Sequence, residues 1–124
     1  MTTLTLSSLA HTWILDLDGT VVKHNGYKTD GCDTLLEGAA EFLRSVPDGD
    51  MIVFLTSRTL EHKEVTENFL AARGIRYDHI IYGAPLGERI LINDRKASGL
   101  DTALAINLER DGLVAIRIGV DEGL

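Results

Sequence analysis

Two carboxylates one residue apart close an apolar run and precede a glycine and a hydroxyl, in Trp13-Ile14-Leu15-Asp16-Leu17-Asp18-Gly19-Thr20. Alternate side chains of a strand share a side, so Asp16 and Asp18 project together while Leu17 enters the opposite layer. Close carboxylates repel and favour a divalent cation, and acids so placed can act as nucleophile, general acid or general base. Gly19 lets the chain turn sharply around whatever they hold. The same residue types also cap ordinary turns after core strands. A calcium loop opens with the same Asp-x-Asp, but it needs glycine where Val21 stands and glutamate where Tyr27 stands.

Two more apolar runs end in polar groups: residues 51–55 lead to Thr56-Ser57-Arg58, and residues 89–93 lead to Asn93-Asp94. The elements that must position these clusters follow from the pattern. Residues 13–17 read as a buried strand. Asn25-Gly26 signals a hairpin turn in a small flap beside the acids. Thr34-Leu35-Leu36-Glu37 has the form of a capping box, and Leu36, Ala39, Ala40, Leu43 and Val46 follow at helical spacing until Pro47-Asp48-Gly49. Strands are expected over 51–55, 79–82 and 89–93, and a helix over 60–73 with Gly74 as its stop. Strand, helix, strand is a parallel crossover, and open parallel sheets bind ligands at the carboxyl ends of their strands. Residues 100–108 suit either a helical face or a strand; Asp111-Gly112 before 114–118 favours a hairpin.

The 124 residues predict one domain, 1–124, and the net charge of −7 argues against nucleic acid or an anionic membrane as main partner. A phosphorylated small molecule stays compatible, since local donors or a metal can reverse the field inside a site. Cys32 is the only cysteine, which excludes an intrachain disulfide and a cysteine zinc cluster. Residues 1–11 lack the pattern of a signal peptide and no apolar run reaches membrane-spanning length, so a cytoplasmic protein is expected. His11, His24, His62 and His79 lack ligand spacing.

The three clusters together resemble the motifs of the haloacid dehalogenase (HAD) superfamily of aspartate-nucleophile phosphohydrolases. They stand here as Ile14-Leu15-Asp16-Leu17-Asp18-Gly19-Thr20, Val53-Phe54-Leu55-Thr56-Ser57-Arg58 and Ile90-Leu91-Ile92-Asn93-Asp94-Arg95. The resemblance implies an α/β fold, a three-layer Rossmann-like parallel sheet with helices on both faces. It implies a magnesium-dependent phosphomonoester hydrolase in which Asp16 forms an aspartyl phosphate, Asp18 serves as acid and base, and Thr56 binds a phosphoryl oxygen. Magnesium would be held by Asp16, the Asp18 carbonyl and Asp94, while Gly19, Ser57, Arg58 and Lys96 would line the substrate site. The family's third-motif lysine is missing, because the corresponding segment reads Gly83-Ala84-Pro85. Lys63 is the first substitute, with Lys96, Arg58, Arg89 and Arg95 behind it.

No cap domain fits between the motifs, so the crevice suits a large substrate, or a small one enclosed by another subunit of a homo-oligomer. Residues 89–100 and 105–112 are also similar to small bacterial HAD proteins of capsular polysaccharide or nucleotide-sugar pathways, which implies a sugar-linked or small alcohol phosphate. The competing expectation is a catalytically degenerate HAD-like protein acting as a binding or regulatory partner. A receiver domain is a further rival, and Thr56-Ser57-Arg58 argues against it, since an acceptor aspartate would be needed there.

Overall fold

Alternation of apolar and polar residues in Thr2–Leu6 makes the first strand, β1, in the computed structural model, which describes residues 2–112 and 114–124. The order continues with β2 (Thr12–Leu15), a single helical turn α1 (Gly26–Thr29), α2 (Ala39–Ser45), β3 (Met51–Leu55), a 3₁₀ turn (Leu60–His62), α3 (Lys63–Ala72), β4 (His79–Ile81) and β5 (Ile116–Val120). β2, β3 and β4 form one parallel sheet in that order, and β1 pairs with β5 in a second parallel sheet. This is a small α/β domain of parallel sheets flanked by helices, a Rossmann-like, HAD-like architecture without a cap, as the sequence predicts.

Register makes Trp13, Leu15, Ile52, Phe54 and Ile80 one face of the central sheet, and α2 and α3 cover it through Phe42, Leu43 and Leu70. Ile52 and Phe54 lose all contact with solvent there. The opposite face carries Ile14, Met51, Val53, Leu55 and Ile81, with Ile14 54% and Ile81 52% exposed. A parallel sheet ordinarily reads as apolar on both sides because both are buried. Here the sequence has that character and the chain covers one side.

Buried Asp50 sets where β2 and β3 start. Its carboxylate accepts the His11 backbone N–H at 3.1 Å and the Trp13 indole Nε1–H at 3.0 Å. Burial raises the Asp50 pKa, but the Trp13 and His11 hydrogen bonds more than offset this and hold it below the ordinary carboxylate value. A depressed folded pKa contributes stability above the unfolded value of about 3.9, lost as the pH falls through the folded one. Asp50→Ala is therefore expected to cost about 1–3 kcal/mol at neutral pH. In urea titrations at several pH values, the gap between wild type and variant should close once the solution is acidic enough to protonate Asp50.

Several local expectations give way to tertiary contacts. Asn25 does take the left-handed conformation that a hairpin turn would use, with φ of 54°, but it starts the helical turn α1. The flap is closed lower down, by a Val22–Leu35 bridge and by Lys23 N–H donating to the Thr34 carbonyl. Thr34 is thereby drawn into that pairing, and the helix begins later, after Gly38 with φ of 83°. Residues 100–108 form neither helix nor strand, and β5 pairs in parallel with β1 rather than folding back in a hairpin. The Asp111-Gly112 turn is spent elsewhere: Asp111 N–H donates to the Gly19 carbonyl, and its carboxylate accepts the His24 N–H at 2.7 Å.

Residues 89–93 are not a strand. They are exposed and unpaired. A parallel crossover takes about a dozen residues or more, whereas 82–88 supply seven between the end of β4 and Arg89. Gly83 and Ala84 are moreover tied to the Arg58 and Thr56 carbonyls.

Candidate active site

The carboxyl ends of β2 and β3 carry the first two clusters to one rim. Leu17 is buried and takes the N–H groups of Thr20, Val21 and Val22 on its carbonyl, which winds the chain tightly after the strand. Gly19 sits in that loop with φ of 85°, a conformation few other residues adopt without strain. Thr56 is fully buried past the end of β3; its N–H donates to the Ile81 carbonyl and its Oγ1 accepts the Arg58 N–H.

Arg58 organises the rim. Its Nε and Nη2 donate to the two oxygens of Asp18 at 3.0 and 2.9 Å, and its Nη1 and Nη2 donate to the two oxygens of Asp33 at 3.1 and 2.7 Å. A third partner is Thr66 of α3, whose Oγ1 accepts Nη1 at 2.8 Å and donates to the His62 carbonyl. The Tyr27 ring stacks on the guanidinium at 4.0 Å and meets His62 edge-on. Burial works against the charge, and hydrogen bonds with Asp18 and Asp33 overcome it, so the Arg58 pKa lies above its ordinary value. With a side chain 1% exposed and both acids engaged, Arg58 is a strut and not a free substrate ligand.

Asp16 faces a different cation. Arg89 Nη1 stands 3.3 Å from Asp16 Oδ1, and its Nη2 donates to Ser57 Oγ at 3.3 Å. Both partners of that pair are about one-third exposed, so it adds little stability and leaves Arg89 able to turn toward a ligand. Lys63 begins α3 and Lys96 lies in a turn closed by its N–H donating to the Leu100 carbonyl; both are exposed, and neither takes the place Arg89 has beside Asp16. Asp94 is exposed in the arm after Ile92, with its carbonyl bound by Thr102.

Asp16, Asp18, Thr56, Ser57, Gly19 and Arg58 are thus brought to one rim, and Asp94, Lys63 and Lys96 are not part of its contacts. Among the described residues no group of three His, Cys, Asp or Glu side chains is disposed to hold a metal ion. Asp94 does not join Asp16 and the Asp18 carbonyl at the rim, so the expected magnesium ligands are not gathered in this arrangement. Asp33 escaped sequence reading because a lone acid in Cys32-Asp33-Thr34 looks like any turn residue. Arg89 was signalled only as one of several cations near the missing lysine, and distance separates it from the rest.

The fold and rim define a HAD-like phosphatase architecture. No protein-family model matches the chain, and no curated protein does. Among solved structures, the chain is similar to a chain of the Pnkp1/Rnl/Hen1 complex, with a TM-score of 0.52 and 31% identity over 67% of this chain and 31% of that one. It is likewise similar to a chain of the Pnkp1/Rnl/Hen1 RNA repair complex, with a TM-score of 0.52 and 33% identity over 66% of this chain and 28% of that one. This chain spans less than a third of the length of either.

These matches overturn the exclusion of nucleic acid drawn from net charge. Both relatives are chains of one complex, described as an RNA repair complex. The physical reason is that a sum of −7 says nothing about the local field beside a single partly exposed cation, which Arg89 supplies at the rim. The resemblance to capsule and nucleotide-sugar proteins has no counterpart in them. No helix among the described residues is long and apolar enough to cross a membrane.

Proposed function

We propose that this chain is a HAD-like domain that binds phosphate-terminated RNA and acts as a binding or regulatory partner in an assembly that handles RNA ends. One observation carries the reading: the Arg58 fork holds both oxygens of Asp18, the residue that would have to pass protons in hydrolysis. Arg89 and Ser57 beside Asp16 offer a cation and a hydroxyl to a terminal phosphate. The similarity to chains of the RNA repair complex supplies the substrate class.

The test is fluorescence anisotropy with one RNA oligonucleotide carrying either a terminal phosphate or a terminal hydroxyl. The expected result is tighter binding of the phosphate form, weakening as salt rises, and no phosphate release above an Asp16→Asn background. Equal binding of both forms would remove the proposal.

The Asp16–Arg89 pair favours a second reading, a phosphomonoester hydrolase acting through an aspartyl phosphate on Asp16. Asp18 would first have to leave Arg58, and magnesium would need Asp94 brought to the rim. Phosphate release from RNA, a sugar phosphate or a small alcohol phosphate, lost in Asp16→Asn and on chelation, would establish this reading in place of the first.

A further inference from the structure

A second arginine is held against the loop that follows β2. The Arg110 side chain passes over Gly19 so closely that a β-carbon there would stand 3.2 Å from Arg110 Cγ, tighter than side chains ordinarily pack. The turn that carries Arg110 is pinned to this loop on both sides. Asp111 N–H donates to the Gly19 carbonyl at 2.9 Å, and the Asp111 carboxylate accepts the His24 N–H at 2.7 Å. Gly112 N–H closes the turn on the Glu109 carbonyl, and Val114 N–H donates to the Glu37 carbonyl ahead of α2. Asp111 adopts φ of 58° within this turn, a left-handed conformation uncommon outside glycine. What these bonds fix in place is Arg110. Its side chain is exposed, and among the described residues no carboxylate pairs with it.

We propose that Arg110 binds the phosphodiester next to the terminal phosphate, so that the rim reads two successive phosphates of one strand. The ligand is then an oligonucleotide end, not a mononucleotide or a small phosphate ester. This rests on the reading of the rim as a site for phosphate-terminated RNA. Arg89 stands beside Asp16 and Arg110 beside Gly19. Three residues of fully extended chain span at most about 11 Å, and this loop is wound more tightly on the Leu17 carbonyl. Two long side chains so placed can reach neighbouring phosphates of a single strand. A phosphodiester carries one charge and two free oxygens, which a planar guanidinium meets with a fork of donors. Asp111 is the positioning residue, acting through the turn that it holds to His24 and Gly19.

The experiment is competition on the full chain against a fluorescent phosphate-terminated RNA. The competitors are a dinucleotide with a terminal phosphate and one phosphodiester, and the same dinucleotide with an uncharged methylphosphonate link. Wild type is expected to bind the phosphodiester form roughly 10-fold more tightly, the worth of a charge-assisted hydrogen bond. Arg110→Gln should remove that preference and lower the salt dependence of oligonucleotide binding by about one ion. Asp111→Val, poorly suited to φ of 58°, should lose the preference as well, whereas Asp111→Asn, which takes that conformation readily, should keep it. Arg44→Gln removes the same charge at the far end of α3, where Arg44 is bound to the Arg73 carbonyl, and should also keep it. A preference that survives Arg110→Gln, or one lost equally in Arg44→Gln, would overturn the role of Arg110 and leave recognition of the terminal phosphate standing. A wild type that binds phosphate-ended and hydroxyl-ended RNA alike would instead remove the reading beneath it, and this inference with it.

Discussion

Arg58→Met is expected to cost about 3–5 kcal/mol of folding stability, the usual result of removing one partner from a buried ion pair. The loss comes less from the missing bonds than from what is left behind. Asp33 is as buried as Arg58, with a side chain 1% exposed, and would face the interior as an unpaired charge. Asp18 is less affected, because at 15% exposure water can reach it. The size of the effect is set by Asp33, so the variant Asp33→Asn/Arg58→Met should be distinctly less destabilised than the sum of the two single changes. Urea denaturation of the four proteins at neutral pH gives the comparison. A loss below about 1 kcal/mol for Arg58→Met would be the value of an exposed pair and would mean that the Asp18–Arg58–Asp33 strut does not hold the rim together.

That strut also explains what could be read in the sequence and what could not. β3 was legible because it buries a face whose period is written into the residues themselves, Ile52 and Phe54. α3 was legible as a helix stopped by Gly74, but its apolar residues suggest a face of Val65, Phe69 and Ala72, whereas it buries Thr66 and Leu70 and leaves Val65 43% exposed. Asp16, Asp18 and Thr56 were legible as rim residues because each follows directly on such an element. β1 is written in the same way, in the alternation of Thr2–Leu6. The partner of an ionic group was not legible. Arg58 is separated from Asp33 by 25 positions and from Asp18 by 40, and nothing local says that one cation answers both acids. Residues 89–93 failed differently. Their propensity for a strand is real, but a strand exists only where an edge can be reached, and the length of the link from β4 decides that.

The functional prediction with the largest effect turns on opposite signs at adjacent residues. Arg89→Ala should weaken binding of a phosphate-terminated oligonucleotide by roughly 10- to 100-fold, the worth of a charge-assisted hydrogen bond to an ionised group. The hydroxyl-terminated form should change little, since the residue acts on the terminal charge. Asp16→Asn should act the other way and tighten the phosphate form, because it takes a carboxylate away from the place where the anion sits, next to Arg89. Mere damage to the rim would weaken both forms in both variants. The pair of substitutions therefore separates a phosphate site built from this acid and this cation from a general attraction of RNA to basic groups, which would fall equally with either terminus and track salt alone. If Arg89→Ala leaves the preference for terminal phosphate intact, the cation that reads the phosphate lies elsewhere on the rim, and the contact between Arg89 and Asp16 is only a surface ion pair.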